Sequence, residues 1–311
     1  CPGGARPPTE VMVAFIDEHR DEYGVEPMCD VLPIAPSTYH EQDRRRAQPE
    51  LRPARAKRDD ELKLHIQRVY DENHQVYGVR KVWRQLKREG IAVARCTVRR
   101  LMRALGLEGA RRGGKAPRTT VPSDEAQRPE DLVQRTFTAE EPNRLWVADF
   151  TYVRTWQGFI YVAFVVDVFA RRIVGWWAAR SMETDMVLNA LEHALLEREA
   201  SSDLVHHSDR GSQYLSIRYT ERLAEAGIER SVGSVGDSYD NALAESVIGL
   251  FKTEVIEQRK AWPTFESVEL ATFEWVDWFN NRRLLAPLGY VPPAEYEAAF
   301  YERQAMQRAA A

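Results

Sequence analysis

Over the first hundred residues the apolar positions recur at helical spacing. Residues 11–46 read as helical, with a turn near Leu32 and Pro33. The stretch 29–39 has the outline of a short helix, a tight turn and a second helix capped by Ser37. Residues 59–107 form a clearer unit. Asp59 and Asp60 put acid at a helix start, and Leu62, Ile66, Val69 and Tyr70 make an apolar stripe. Tyr77 and Gly78 break that helix. A second follows through Val82, Trp83 and Leu86 and ends at Gly90. A third carries Val98, Leu101, Met102 and Leu105 on one face and Arg99, Arg100 and Arg103 on the other. Residues 108–140 are rich in Gly, Pro and Arg and read as a basic linker.

Beyond Asn143 the period changes to that of strands. Segments 145–155, 159–169 and 173–178 are joined by short turns and predict an antiparallel meander. A helix over 183–199, a strand over 204–207, a helix over 213–226, a strand over 228–232 and a long helix over 240–259 follow. The order βββ-α-β-α-β-α predicts an α/β fold of the ribonuclease H-like kind, a mixed five-stranded sheet with helices, preceded by an all-α helix-turn-helix region. The expected boundaries are an N-terminal helical region over 1–58, a helix-turn-helix domain over 59–107, the linker over 108–140, a catalytic domain over 141–275 and a C-terminal extension over 276–311.

Composition narrows the class. No run reaches the roughly 18 apolar residues of a membrane span, and no signal-peptide pattern opens the chain. Three widely spaced cysteines, Cys1, Cys29 and Cys96, form neither a disulfide framework nor a zinc site, so a reducing cytoplasm is expected. Charge is unevenly placed. Residues 1–140 hold 26 Lys and Arg against 22 Asp and Glu, whereas 141–311 hold 17 against 25. Between residues 80 and 118 there are 13 basic and 2 acidic residues. A basic block in a near-neutral protein points to a polyanion, although a solvated helix face would carry the same charges. Arg80, Lys81, Arg99, Arg100 and Arg103 are the expected DNA contacts, serving phosphates or base edges.

Three acids stand where acids are unexpected. Asp149 lies among apolar and aromatic neighbours in the first strand, where burial is costly without a cation or hydrogen bonds. Asp209 follows the fourth strand, at the end where such sheets bind ligands. Glu245 lies inside the last helix of the catalytic region, on one face with Asn241 and Lys252. Carboxylates on separate elements suit Mg²⁺ or Mn²⁺. Two such ions about 4 Å apart serve phosphodiester chemistry. Lys252 and Asn241 would position substrate phosphate. Singly, each acid has a plainer reading as a strand-end cap, a turn residue or a solvated helix position. Asp167 is a rival in an apolar strand, and Asp237 and Asp240 are rivals before a helix, where acids serve as caps.

Residues 145–300 resemble the catalytic domain of insertion sequence 3 family transposases of the OrfB type, related to retroviral integrases. The resemblance rests on Trp146-Val147-Ala148-Asp149-Phe150-Thr151-Tyr152, on His207-Ser208-Asp209-Arg210-Gly211-Ser212-Gln213-Tyr214, and on Asp240-Asn241-Ala242-Leu243-Ala244-Glu245-Ser246 with Lys252. Between Asp209 and Glu245 stand 35 residues, the spacing of the family's DDE signature. Phe279-Asn280-Asn281-Arg282-Arg283 and Leu288-Gly289-Tyr290-Val291-Pro292-Pro293 resemble its closing motif, with Leu284-Leu285-Ala286 where a His usually follows the basic pair. Residues 59–109, including Tyr77-Gly78-Val79-Arg80 and Arg100-Leu101-Met102-Arg103, look like its helix-turn-helix segment.

The resemblance implies Asp149, Asp209 and Glu245 as a catalytic metal triad, cleavage at element ends and transfer of the 3′-OH into target DNA. It also implies a homo-oligomer on double-stranded DNA and an upstream OrfA-type partner joined by frameshifting, with which a chain beginning at Cys1 agrees. Two other readings compete: a nuclease of the same fold without strand transfer, and a non-catalytic DNA-binding regulator derived from a transposase. A scaffolding role has no repeats or low-complexity sequence behind it.

Overall fold

The computed structural model describes residues 7–111, 139–198, 203–209, 212–232, 241–259 and 261–310. Most of the expected linker lies outside the described residues, as do Arg210, Gly211, Asp237 and Asp240. The chain divides into two compact units at residues 65 and 66, later than the expected boundary at 58.

The first unit is helical. Helices α1 (Thr9–Tyr23) and α2 (Val25–Val31) are separated by Gly24, whose φ of 76° ends the first helix. A turn then leads to α3 (Pro36–Ala47). Met12, Ile16, Met28, Ile34 and Tyr39 form its core. Ser37 does not cap α3. Ala35 holds the cap position and Pro36 opens the helix, its ring fixing φ and needing no N–H partner there.

In the second unit, α4 (Ala54–Glu72, which begins before the division) is followed by α5 (Val79–Arg88) and α6 (Arg95–Ala104). Ile66, Val69, Val82, Leu86, Val98, Leu101 and Met102 are buried, as their spacing predicts. The Trp83 indole closes the α5–α6 turn by donating to the Val93 carbonyl at 2.9 Å.

The meander forms as expected: β1 (Leu145–Thr155), β2 (Gly158–Asp167) and β3 (Arg172–Ala179), antiparallel in sequence. After α7 (Thr184–Glu197), β4 (Val205–Ser208) pairs parallel to β1. After α8 (Ile217–Glu225), β5 (Glu229–Val232) pairs parallel to β4. The helix expected over 213–226 starts late because Ser216 caps it, its Oγ accepting from the Tyr219 amide. The order β3-β2-β1-β4-β5 is the ribonuclease H-like arrangement. One face of the sheet buries Trp146, Ala148, Ala163 and Val165 against α7 and α8. Gly175 lets α7 lie directly on β3, because a Cβ there would stand 2.2 Å from the Ala190 carbonyl oxygen.

The opposite face carries α9 (Ala242–Phe251) and α10 (Phe265–Asn281), with Phe164, Phe251, Trp275 and Phe279 packed edge to face or tilted. The single long helix expected over 240–259 instead changes to a π-helical turn at Lys252–Ile256. The boundary expected at 275 falls inside α10, whose Trp275 and Phe279 belong to the sheet's core, so 276–281 is no extension. Helix α11 (Pro293–Ala310) is tied back through buried Glu297, which pairs with Arg198 and Arg172. No helix among the described residues is long and apolar enough to cross a membrane.

Candidate metal centre and nucleic-acid interface

The register of the central strands assembles the site. Ala148 of β1 is level with Ser208 of β4, so Asp149 and Asp209 are the next residues on adjacent parallel strands. Asn241 precedes α9 and donates from Nδ2 to the Ala148 carbonyl at 2.9 Å. That bond anchors the start of α9 beside Asp149 and brings Glu245, one turn on, toward the same end of the sheet. Asn241 is buried, and its amide nitrogen holds β1 and α9 together beside the carboxylates.

The three carboxylates press on one another. Burial raises the Asp149 carboxyl well above the usual range, and Asp209 and Glu245 push it further. The Phe150 amide, bonded to its Oδ1 at 2.8 Å, and Lys252 oppose the shift. Burial and then Asp209 raise Glu245. Among the described residues no three His, Cys, Asp or Glu side chains stand close enough to hold a metal as they are. The donor set nevertheless fits a hard divalent cation: it is all carboxylate, and mutual repulsion is what such a cation relieves. Lys252 leans over the Tyr152 ring, 5.6 Å from its centroid, at the edge of this cluster. Tyr214 belongs to the same surroundings. Among the described residues its buried hydroxyl has no hydrogen-bond partner, and burial, then Tyr219, Asp149 and Asp209, raise its phenol.

The rival Asp167 has a structural task. It accepts from the Asn143 amide at 2.6 Å and the Phe169 amide at 2.9 Å, tying the start of β1 to the end of β2 at the open end of that pair. Burial raises it to about 6 despite those bonds. On β4, His206 is buried and pushed down to about 3, chiefly by burial, and shares a hydrogen bond with the Tyr219 hydroxyl. His207 is joined to Ser231 of β5. These contacts hold the strand that presents Asp209.

On the helical side, Arg99, Arg100 and Arg103 are exposed along α6, as the amphipathic pattern predicts. Lys81 is not. It turns inward over the Tyr77 ring at 5.0 Å, and burial, aided by Arg283 and opposed by Glu254, pushes its ammonium down to about 7. Lys81 is half-buried there, held against the protein's own aromatic ring rather than extended into solvent. Arg80 remains exposed but donates to the Tyr290 hydroxyl at 3.3 Å.

Sequence reasoning missed the pair formed by Glu254 and Arg283, only 6% and 4% exposed at their side chains. An acid in the apolar run from Leu250 to Ile256 was the available signal.

The fold and carboxylate cluster define a polynucleotidyl-transferase core of the integrase kind. Comparison with known proteins agrees: residues 139–238 and 226–293 match the integrase core domain, and residues 57–115 match an HTH-like domain. The transposase for insertion sequence element IS629 of Shigella sonnei is 61% identical over 290 residues, covering 93% of this chain and 97% of that protein. The putative transposase of IS986/IS6110 from Mycobacterium tuberculosis is 58% identical over 286 residues, covering 90% of this chain and 100% of that protein. Among solved structures, the HTLV-2 integrase catalytic core domain in complex with magnesium is similar at a TM-score of 0.41 and 16% identity, covering 51% of this chain and 98% of that one. The chain belongs to the insertion sequence transposases.

Proposed function

We propose that Asp149, Asp209 and Glu245 are the catalytic ligands of this transposase and hold divalent metal, two ions of Mg²⁺ or Mn²⁺, during both steps of DNA transposition. The observation that carries this reading is the register that sets Asp149, within β1, beside Asp209 just past β4, with the Asn241–Ala148 bond bringing the start of α9 and so Glu245 to the same place. Bound metal would lower the pKa of the attacking oxygen and polarise the phosphodiester. In the first step water attacks phosphorus at the element end, and the P–O3′ bond breaks to leave a 3′-OH. In the second, that 3′ oxygen attacks a target phosphodiester in line, and the target's own P–O3′ bond breaks. No covalent enzyme–DNA bond is needed. Lys252 attracts the substrate phosphate to the carboxylate edge, and Asn241 keeps α9 in register with β1. The protein works in the bacterial cytoplasm as a multimer on paired ends, with an upstream OrfA-type partner and a circular, copy-out route.

The test is strand transfer on oligonucleotides bearing the element ends. Joined products that require Mg²⁺ or Mn²⁺ are expected. Hydrolysis without joining would instead favour the nuclease reading, and DNA binding without either reaction the regulator reading.

Arg99, Arg100 and Arg103 bind DNA phosphate. Changing all three to Ala should flatten the plot of log affinity against log salt, by about 0.9 for each phosphate that is no longer neutralised. A fluorescence-anisotropy titration at several salt concentrations reads this directly. An unchanged slope would remove α6 from the interface.

A further inference from the structure

The Tyr77-Gly78 turn and the closing motif, far apart in sequence, form one assembly within the second unit. Tyr77 is fully buried. Its hydroxyl accepts from the Leu284 amide at 2.7 Å and donates to the Arg282 carbonyl at 3.4 Å. Nearby, the Trp278 indole donates to Asn73 Oδ1 at 3.1 Å. Arg283 lies over the Trp278 and Phe279 rings while paired with Glu254.

Helix α5 continues the contact along one face. Arg80, Arg84 and Arg88 are spaced by four residues and so stand in a row. Arg80 donates to the Tyr290 hydroxyl, Arg84 lies 4.7 Å from the Tyr290 ring centroid, and Arg88 pairs with Glu295. Behind the turn the chain leaving α6 returns closely: a Cβ on Gly109 would stand 2.5 Å from the Gly78 nitrogen, and the Ala110 amide donates to Val76. Basic residues that sequence alone gives to DNA are here engaged by the protein's own C-terminal segment.

We propose that α5 with its Tyr77 turn is a docking element for the closing motif, and that this clamp sets which phosphodiester is cut by holding the α6 arginine face at a fixed distance from the carboxylates. Tyr77, Arg84 and Tyr290 are positioning residues, since none touches the reacting atoms. The proposal rests on the reading that α6 binds the element end and the carboxylates cut it.

Two variants of the full chain test it. Tyr77→Phe removes one hydroxyl and leaves the Leu284 amide buried without a partner. Arg84→Ala with Tyr290→Ala removes the outer stacking of guanidinium on ring and guards against a folding defect in the first. Hydrogen exchange should show residues 74–88 and 279–291 losing protection together, by about tenfold in Tyr77→Phe. On end-labelled DNA the wild type should cut one phosphodiester, whereas both variants should cut several neighbouring ones, with affinity for end DNA changed by less than about twofold. A merely structural role would lower the amount of product without moving the cut. A single unchanged cut in variants that have lost protection would overturn the positioning role, and unchanged protection in both variants would overturn the docking. Absence of cleavage by the wild type would count against the proposed function instead, and exchange would still decide the docking.

Discussion

Asp149→Asn is expected to lower strand transfer by at least about a hundredfold while leaving DNA binding intact. Outer-shell partners of metal sites already cost about 10–100-fold when removed, and a direct ligand costs no less. The same substitution has an opposite effect on stability. Asp149 and Glu245 have carboxyls raised in the folded state. Their contribution to stability is therefore full below the unfolded carboxylate pKa, about 4. It is lost as pH rises through the folded values. In metal-free buffer the wild type should lose stability from pH about 4 upward, and Asp149→Asn should flatten that loss and melt higher near neutral pH. Mg²⁺ should raise the wild-type Tm, increasingly so at higher pH because it binds the deprotonated form, and raise the variant's much less. Calorimetry with and without Mg²⁺ measures both effects. A variant that retains strand transfer, or responds to Mg²⁺ as the wild type does, would show that Asp149 is not a ligand.

Glu254→Ala is expected to destabilise the second unit by about 3–5 kcal/mol. The substitution strands the Arg283 guanidinium between the Trp278 and Phe279 rings, where almost no water reaches it, and removes the acceptor of the Trp275 indole. For a unit of this size that corresponds to a fall in Tm of roughly 10 °C. The paired change Glu254→Leu with Arg283→Met should recover most of the loss, because an apolar pair of similar volume carries no desolvation cost. Urea denaturation of the three proteins decides the matter. If the single variant falls by under about 1 kcal/mol, water or another group must compensate Arg283. The two expectations are separable: the first concerns repulsion that a cation relieves, the second a charge already neutralised within the protein.

Much of this protein is legible along the chain because the governing interactions are local. The three strands of the meander announce themselves by β-branched and aromatic residues between short turns, and they form within a residue or two of the expected limits. The amphipathic pattern of α6 separates buried Val98, Leu101 and Met102 from exposed Arg99, Arg100 and Arg103. Asp149 and Glu245 are conspicuous as acids in apolar company. Other features depend on partners distant in sequence. Asn241 and Lys81 are polar residues in a basic or catalytic neighbourhood, and composition places both toward DNA. Only the packing shows one bonded to the Ala148 carbonyl and the other laid over the Tyr77 ring. The end of the catalytic unit is equally hidden, since a helix cut at residue 275 has the same periodicity on either side. Sequence by itself determined the elements, the acids and the family motifs, which arise from side-chain chemistry and short-range spacing. Tertiary structure alone decided which charges face solvent and which are neutralised inside, because desolvation depends on neighbours that the order of residues does not reveal.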